Sequence, residues 1–283
     1  MPVLMCPPDH FQVTYEINPW MHVSVPVDVR RARRQWEDLR GVYADLGVEV
    51  VLAEPAAGLP DMVFSANAAV LRGDVAVLSR FRHPERRGEE PLWRSILSGL
   101  GMRVRETSGP AFEGAGDALF LGDTLVCGHG FRSDPAAIPE VGRALDVETL
   151  AVELVDPRFY HLDTCFCPLD ARTALLAPAG VSPASRELLR RRVERLIEVP
   201  ETAAAGFACN AIRVGDTVIS STGLEALARP LAAAGYRVLG LPMSEFMKAG
   251  GGVRCLSLPG VPSARAVQRE PQPVAGWRSP VAP

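Results

Sequence analysis

Residues 248–258 have the sequence Lys248-Ala249-Gly250-Gly251-Gly252-Val253-Arg254-Cys255-Leu256-Ser257-Leu258, in which three glycines precede a cysteine and a short apolar run. Glycine has no Cβ and adopts backbone conformations closed to other residues, so a glycine run lets a side chain and a ligand approach the backbone closely. Cys255 is therefore a candidate nucleophile. A buried structural cysteine after a flexible bend is the alternative, because free cysteine is among the most buried residue types.

This segment is the last of five similar segments. Each contains a short β-type run, a break with polar residues, two further apolar runs and a helical stretch. The main polar residues of the five breaks are at positions 61, 113, 161, 210 and 255, so successive breaks lie 52, 48, 49 and 45 residues apart. A period of this kind indicates a repeat architecture. The tight turns that recur between apolar runs, each predicting a hairpin, are Gly73-Asp74, Gly122-Asp123 and Gly215-Asp216.

Helical patterns separate the hairpins, and several of them end at a glycine. They are Asp28–Leu46, Glu90–Leu100, Pro135–Leu145, Ser182–Leu196 and Leu224–Ala234. The fifth unit stops after its second strand at Leu258, whereas the chain begins with an unassigned apolar run, Val3–Cys6. This run would supply the missing strand and close the units into a ring, which removes the exposed edges of an open array. An ordinary α/β sheet of alternating elements is the alternative.

The composition favours a globular protein with a small-molecule partner. The chain has 283 residues, with 30 Lys and Arg against 33 Asp and Glu and a formal net charge of −3. No long run of like charge occurs, so neither nucleic acid nor a membrane surface is indicated as a partner. No apolar run reaches the roughly 18 residues of a membrane span, and residues 1–6 lack the pattern of a secretion signal.

The cysteines and the C-terminal composition set two further expectations. None of the six cysteines has CxxC or zinc-type spacing, so we expect reduced thiols and a cytoplasmic protein. Six of the last 25 residues are proline, and no hydrophobic period survives there. We therefore expect residues 1–258 to form a single catalytic domain and residues 259–283 to be a disordered or loosely attached tail.

In a ring of five units, the polar breaks would converge near the axis. They would bring together Asp61, Asn67, Glu113, Asp117, His161, Asp163, Asn210 and Cys255. Carboxylates, an imidazole and a thiol suit a cationic substrate that is attacked by a nucleophile. A planar guanidinium presents a fixed fork of N–H donors that paired carboxylates match, and such a cation would also stabilise the attacking thiolate.

Structural roles are open for the same residues. The acids could be turn or cap residues, and a single histidine is often a satisfied core or surface residue. If His161 and Asp163 lie on a strand, their spacing puts both side chains on one face. The same spacing holds for Cys165 and Cys167, for which a metal pair is conceivable, although no further ligand set has metal spacing.

Six motifs in chain order carry a resemblance to a known superfamily. They are Cys6-Pro7-Pro8-Asp9-His10-Phe11, Ile17-Asn18-Pro19-Trp20-Met21, Pro60-Asp61-Met62-Val63-Phe64, Glu113-Gly114-Ala115-Gly116-Asp117, Tyr160-His161-Leu162-Asp163-Thr164 and Gly251-Gly252-Val253-Arg254-Cys255. From Met5 to Leu258 the chain resembles the guanidine-modifying enzymes of the pentein superfamily, which fold as five-bladed α/β propellers. The resemblance implies this fold, closed around a central active site.

The resemblance also implies roles for the matching residues. It makes Cys255 the nucleophile, His161 the acid and base, and Glu113 the residue that holds the guanidinium and orients the imidazole. Asp163 would be the second guanidinium anchor, and two arginines would hold the substrate carboxylate. Together with the converging breaks, this gives the predicted substrate-binding residues Asp163, Asn67, Asn18, Asp61, Arg86, Arg132, Asp117 and Asn210. Neither a metal nor an organic cofactor is implied.

The identity of three residues bears on the substrate. Asn67, Asp163 and Asn18 together resemble the arginine dihydrolases, although some bacterial proteins named as dimethylarginine enzymes look similar here. Deiminases generally have an aspartate in place of Asn67, and the better-studied dimethylarginine enzymes lack an acid at Asp163. The resemblance thus favours hydrolysis of arginine, with two waters, to ornithine, two ammonia and carbon dioxide.

Several other functions stay open. The first alternative is a dimethylarginine dimethylaminohydrolase, which releases citrulline and a methylamine, followed by an arginine deiminase or an amidinotransferase. A ring of acids can also bind arginine or a polyamine without reacting, as a sensor would. The sequence gives no mark of the oligomeric state.

Overall fold

Five small sheets form the framework of the protein. The computed structural model describes residues 1–221 and 225–263, and within them each sheet has three strands. The strands are β1 (Val3–Met5), β2 (Val50–Leu52), β3 (Ala69–Arg72), β4 (Val75–Leu78), β5 (Arg103–Arg105), β6 (Ala118–Leu121), β7 (Thr124–His129), β8 (Thr149–Glu153), β9 (Phe166–Pro168), β10 (Thr173–Leu176), β11 (Arg195–Glu198), β12 (Ile212–Val214), β13 (Thr217–Ser221), β14 (Arg237–Leu241) and β15 (Leu258–Pro259).

All five sheets have the same topology, which is that of a five-bladed α/β propeller. Each middle strand is antiparallel to an inner strand and parallel to an outer strand. In the order inner, middle, outer, the sheets are β15-β1-β2, β3-β4-β5, β6-β7-β8, β9-β10-β11 and β12-β13-β14. Residues of all five inner strands line one central cavity, which places these strands around the axis.

The N-terminal strand closes the ring, as predicted. β1 is the middle strand of its sheet, where Leu4 faces Leu258 of β15 and Val51 of β2. The fold also extends a few residues beyond the predicted domain end at 258. Pro259 pairs with Val3 in the sheet, and Val261 is buried. The predicted tail from residue 264 onward lies outside the described residues.

Helices connect the middle and outer strands and lead into the polar breaks. They are α1 (Val29–Asp45), α2 (Pro84–Arg87), α3 (Glu90–Gly99), α4 (Gly114–Asp117), α5 (Ile138–Leu145), α6 (Pro183–Arg192), α7 (Glu201–Ala205), α8 (Glu225–Ala233) and α9 (Ser244–Met247). Short 3₁₀ turns lie at Pro60–Val63, Ser65–Ala68, Pro135–Ala137, Pro157–Phe159, Leu162–Thr164 and Pro178–Gly180.

The helix boundaries differ from the predicted ones where a strand competes. The helix predicted over Ser182–Leu196 ends at Arg192, because Leu196 pairs with Ala174 in the parallel ladder of β10 and β11. The start of α1 agrees with its sequence, since the Asp28 side chain accepts a hydrogen bond from the backbone of Arg31 and caps the helix.

Apolar side chains between the sheets and their helices form the core. Trp36 of α1, Trp93 of α3 and Leu189 of α6 are each fully buried against the blade they cover. A helix long and apolar enough to cross a bilayer is not found in the described part of the chain. The polar breaks join one blade to the next, and they carry the residues of the predicted site.

Candidate active site

The polar breaks fold as short helical turns at the starts of the inner strands, and they converge. The turn Gly114–Asp117 contacts both Ser65–Ala68 and Leu162–Thr164, which come from the two adjacent breaks. The predicted strand at His161 and Asp163 was wrong, because Leu162–Thr164 is a 3₁₀ turn. A turn rather than a strand still directs both side chains inward, since both are buried at the centre.

Cys255 lies in a turn just before β15, and its side chain is 2% exposed. Its Sγ accepts a hydrogen bond from Nδ2 of Asn210 at 3.0 Å and donates to Oδ2 of Asp163 at 3.3 Å. Oδ1 of Asn210 also accepts from the backbone N–H of Cys255 at 3.2 Å. Burial, and then the charge of Asp163, raise the pKa of Cys255 well above its ordinary value. Without a cation beside it, this cysteine is a thiol.

A buried chain of charged groups surrounds the imidazole of His161. Nε2 of His161 lies 2.7 Å from Oε2 of Glu113, which also accepts from Nη1 of Arg132 at 2.9 Å. Burial alone would raise the pKa of Glu113, but the charge of Arg132 and the hydrogen bond with His161 outweigh it and hold that pKa below its usual value. Glu113 is therefore a carboxylate. It fixes the orientation of the imidazole and pairs with the guanidinium of Arg132.

Each glycine of the run before Cys255 contacts another side chain closely. Gly250 has φ +83°, and an added Cβ there would lie 2.9 Å from the ring of Tyr160. At Gly251 an added Cβ would lie 2.4 Å from the ring of Phe64, and at Gly252 it would lie 3.0 Å from Oδ1 of Asn210. The close approach inferred from the sequence is therefore present. The groups that approach are protein side chains of the site wall.

The buried polar atoms at the site without a hydrogen-bond partner among the described residues include Oδ1 of Asp163 and Nδ2 of Asn67. An added Cβ on Gly116 would lie 2.3 Å from Nδ2 of Asn67 and 3.1 Å from Nδ1 of His161, so this amide lies beside the imidazole. Unsatisfied buried polar atoms cost roughly 1–3 kcal/mol each, and a ligand with matching groups would remove that cost.

Arg86 is held by a network that the sequence did not indicate. Its Nε and Nη2 donate to the two carboxylate oxygens of Glu89 at 2.8 and 2.9 Å, and its Nη1 donates to Oδ1 of Asn67 at 2.9 Å. Nη2 also donates to the carbonyl of Asp61 at 3.2 Å. Four of its five N–H groups are thus bound inside the protein. The predicted clamp on a substrate carboxylate is not what this arrangement shows, because the fork is paired with Glu89 and fixes the amide of Asn67.

Asp117 is an anchor beneath the site, although substrate binding was predicted for it. Its Oδ1 accepts from the backbone N–H of Leu162 at 3.0 Å. Its Oδ2 accepts from the hydroxyl of Ser133 at 2.7 Å, and that hydroxyl accepts in turn from the backbone N–H of Glu113 at 2.9 Å. One buried carboxylate therefore connects the segments that carry His161 and Glu113. Both of its oxygens are occupied by protein groups.

Asn210 and Asn18 also act on protein groups. The amide of Asn210 is used by Cys255, by the backbone N–H of Arg254 and by the carbonyl of Asp163. Asn18 donates to the carbonyl of Ala249 at 3.1 Å and so ties the N-terminal loop to the glycine run. Both residues position the segment that carries Cys255, and their predicted binding to a substrate stays a prediction.

Residues 9–260 match the sequence profile of the family described as N,N dimethylarginine dimethylhydrolase, eukaryotic. The chain belongs to this family. It is 44% identical over 262 residues to the bifunctional arginine dihydrolase/ornithine cyclodeaminase ArgZ of Synechocystis, an alignment that covers 90% of this chain and 37% of that protein. It is 42% identical over 254 residues to the N(G),N(G)-dimethylarginine dimethylaminohydrolase of Mycobacterium tuberculosis, with 90% and 84% of the two chains covered.

A solved member of the same fold aligns along nearly the whole ring. The N-terminal domain of ArgZ, crystallised as a cysteine-to-serine variant bound to substrate, superposes with a TM-score of 0.88 at 43% identity and covers 91% of this chain and 97% of that domain. The five-bladed fold predicted from the sequence is thereby confirmed. The chain spans just over a third of the length of the two bifunctional relatives, 37% in each case.

Sequence reasoning missed three residues of this dimethylarginine dimethylhydrolase-family site. Glu89 is fully buried, and its spacing of three residues from Arg86 was a helical ion-pair signal. Ser133 follows Arg132 directly but carries no mark of its role. Tyr160 lies under the guanidinium of Arg132, whose Cζ is 4.6 Å from the ring centroid, and donates to the carbonyl of Gly250. Among the described residues no cluster of three or more metal-binding side chains occurs, and the thiols of Cys165 and Cys167 donate to backbone carbonyls.

Proposed function

We propose that the protein hydrolyses the guanidinium group of free arginine, and that it carries the product through a second hydrolysis as an arginine dihydrolase. In this mechanism Glu113 and Asp163 hold the guanidinium, and Cys255 attacks its carbon. His161 protonates the departing nitrogen, so ammonia leaves and a thiouronium intermediate stays on Sγ. Water that gives its proton to His161 then attacks this carbon, and the thiolate departs.

A substrate cation would provide a positively charged partner for Asp163. The thiol of Cys255 donates a hydrogen bond to Oδ2 of Asp163 across 3.3 Å, and both residues are buried. A guanidinium placed against Asp163 would favour the carboxylate and the thiolate together, because it replaces that proton as the positive partner. Oδ1 of Asp163 has no hydrogen-bond partner in the described part of the chain and offers the acceptor that a second N–H of the guanidinium requires.

The fixed amide of Asn67 is the observation that favours two rounds of hydrolysis. Arg86 donates to Oδ1 of Asn67, so the orientation of the amide is set, and Nδ2 lies beside His161 without an acceptor among the described residues. A guanidinium has only donors and cannot satisfy that group, whereas the ureido oxygen of citrulline is an acceptor. An aspartate at this position would instead oppose the ureido oxygen with a second negative group. The site would thus provide hydrogen-bond partners for citrulline, the neutral first product, as well as for arginine.

Asp163 also bears on the choice between arginine and its methylated forms. A dimethylated nitrogen has no N–H, and placing it against Asp163 would leave a buried carboxylate oxygen unpaired. That loss costs about 1–3 kcal/mol, or roughly 5- to 150-fold in the specificity constant. The dimethylargininase alternative is favoured by the Mycobacterium tuberculosis relative, which carries that name at 42% identity.

A product assay tests the proposal. Wild type, Cys255→Ala, Asn67→Asp and Asn67→Leu are each incubated with arginine, citrulline, monomethylarginine and dimethylarginine, and ornithine, citrulline and ammonia are quantified. We expect ornithine from arginine and from citrulline with wild type, no turnover with Cys255→Ala, and accumulation of citrulline with Asn67→Asp. Asn67→Leu is the neutral control, which separates the loss of the donor from the gain of charge.

Three results would contradict this function. Accumulating citrulline from wild type, with dimethylarginine as the better substrate, would indicate the dimethylargininase. Binding of arginine without any product would indicate a sensor, and turnover that requires a second amine would indicate an amidinotransferase. We further propose that the enzyme acts on a free small molecule in the cytoplasm, which the six unpaired cysteines of the fold support.

A further inference from the structure

A cavity of about 450 Å³ lies on the propeller axis behind the candidate active site. Its wall runs from Ala115, at the foot of one polar break, to Gly73 in the hairpin turn between β3 and β4, and all five inner strands contribute to it. The wall is mostly apolar, with Leu71, Phe120 and Phe166 among its side chains. The volume is within the range of about 300–1,000 Å³ that is usual for small-molecule sites.

The wall of the cavity contains a cation that forms no ion pair with a described residue. Arg213 and Arg254 are the only charged side chains among the described residues that line it. Arg254 is half-buried, and its guanidinium donates to the carbonyl of Ser257 at 2.6 Å. Within residues 1–221 and 225–263, no carboxylate lies within 4.0 Å of that guanidinium. A partly buried charge without a counter-ion is unfavourable, so an anion in the cavity would gain a strong charge-assisted partner.

Arg254 is also coupled to the nucleophile. The backbone N–H groups of Arg254 and Cys255 both donate to Oδ1 of Asn210, at 3.0 and 3.2 Å, and Nδ2 of the same amide donates to Sγ of Cys255. Burial raises the pKa of Asp163, and the charges of His161 and Arg254 act against that rise. A ligand that neutralised or moved Arg254 would therefore change the hydrogen bonds and the charge around Cys255.

We propose that this axial cavity is a binding site for a small organic carboxylate, with the carboxylate paired to Arg254 and the apolar body in the space between the inner strands. A guanidinium also matches phosphate, but the second lining arginine, Arg213, is exposed, so the cavity offers a single half-buried cation, which a singly charged carboxylate balances. The carboxylate and arginine would occupy different places, the carboxylate between the inner strands and arginine beside Asp163, so the two should bind together.

Titration calorimetry with hexanoate tests the site on the Cys255→Ala protein, with and without saturating arginine. We expect hexanoate to bind in both conditions with similar affinity, at least tenfold more tightly than hexan-1-ol, and at least tenfold more weakly to the additional variant Arg254→Met. Arg254→Lys should recover part of the affinity. The matched control is Arg195→Met, which removes an exposed arginine on the outer strand β11 and should leave binding unchanged.

Two further measurements keep the outcome clear. In crystals soaked with 6-bromohexanoate, the anomalous signal of bromine should lie between the inner strands, and circular dichroism should show that the Arg254 variants remain folded. Equal binding of hexan-1-ol, displacement of hexanoate by arginine, or bromine outside the cavity would each overturn the proposal. The binding experiments do not depend on turnover. A failure of the proposed arginine hydrolysis would be recognised separately, because wild type would then form no product in the product assay.

Discussion

Replacement of Gly251 by alanine is the sharpest test of how the glycine run shapes the site. The added Cβ would lie 2.4 and 2.8 Å from two carbons of the Phe64 ring, whereas ordinary contacts are 3.4 Å or more. Either the ring or the nucleophile segment must therefore move by about 1 Å. The ring is poorly able to move, because Phe64 is buried edge-on against Phe11 and Phe246, with centroids 5.7 and 6.5 Å away.

The expected magnitudes follow from this overlap. Overpacking of a buried site costs about 1–3 kcal/mol, which lowers Tm by roughly 2–4 °C for each kcal/mol in a chain of this size. Cys255 lies four residues beyond Gly251, and a displacement of about 1 Å at a reacting group costs on the order of 100-fold in rate. We expect kcat/KM for arginine to fall by about this factor, measured by ammonia release alongside a thermal melt.

Two variants make the result decisive. Gly41→Ala is the matched control, because no atom lies within 4 Å of its added Cβ on the exposed face of α1, and alanine in a helix should stabilise the protein by about 0.5–1 kcal/mol without affecting turnover. Phe64→Leu combined with Gly251→Ala should recover part of the lost activity and Tm. Wild-type activity and Tm in Gly251→Ala, or no recovery in the double variant, would refute the steric argument.

Three other predictions concern buried charge. Because burial raises the pKa of Asp117 from 3.8 to about 6, its carboxylate destabilises the fold at neutral pH, so the free energy of unfolding should rise as the pH falls from 7 to 5. Asp117→Asn should lose that pH dependence and, by opposing an amide donor to the N–H of Ser133, lower kcat/KM at least tenfold; an unchanged pH profile would contradict this. Glu89→Gln should cost about 3–5 kcal/mol in urea unfolding because it leaves Arg86 buried without its partner, whereas the exposed control Glu187→Gln should cost less than about 1 kcal/mol. Iodoacetamide should modify Cys255 of the free enzyme more slowly than a model thiol at pH 7.5, followed by peptide mass spectrometry, and rapid labelling would show that the pKa of Cys255 is not raised.

The sequence was most informative where a prediction depended on a repeated pattern and not on contacts between distant residues. The recurrence of polar breaks every 50 residues or so predicted the ring, and the unassigned run at Val3 predicted how it closes. The location of these breaks can be predicted without knowing which residues they contact, because the symmetry of the ring brings equivalent positions together. Cys255, His161, Glu113 and Asp163 were found in this way, and they lie together in the structure.

The roles that sequence reasoning did not anticipate depend on partners that are distant in the sequence. Asp117 was read as a ligand of the substrate because nothing in the sequence shows that Ser133 and the backbone of Leu162 occupy it. Asn210 was placed similarly, although its amide serves Cys255, 45 residues further on. Hydrogen-bond pairing of this kind is a property of the assembled ring, and it sets which polar atoms are left for a ligand.

The buried charges of the site are not all paired with an opposite charge. Glu113 has Arg132 as its cation, and Arg86 lies 2.8 Å from Glu89 and 3.8 Å from Asp61. Asp163, in contrast, has no cation within 4.0 Å among the described residues, and its partner is the Cys255 thiol.

Burial raises the pKa of Asp163 and the pKa of Cys255, so the protonated forms of both groups are favoured. In the proposed function, a guanidinium placed beside Asp163 would lower both pKa values at once, so the substrate cation would also generate the nucleophile. A neutral molecule of the same shape would not do so by charge. In the proposed dihydrolase, citrulline would rely on hydrogen bonds such as one from Asn67, and we expect the second hydrolysis to be the slower of the two.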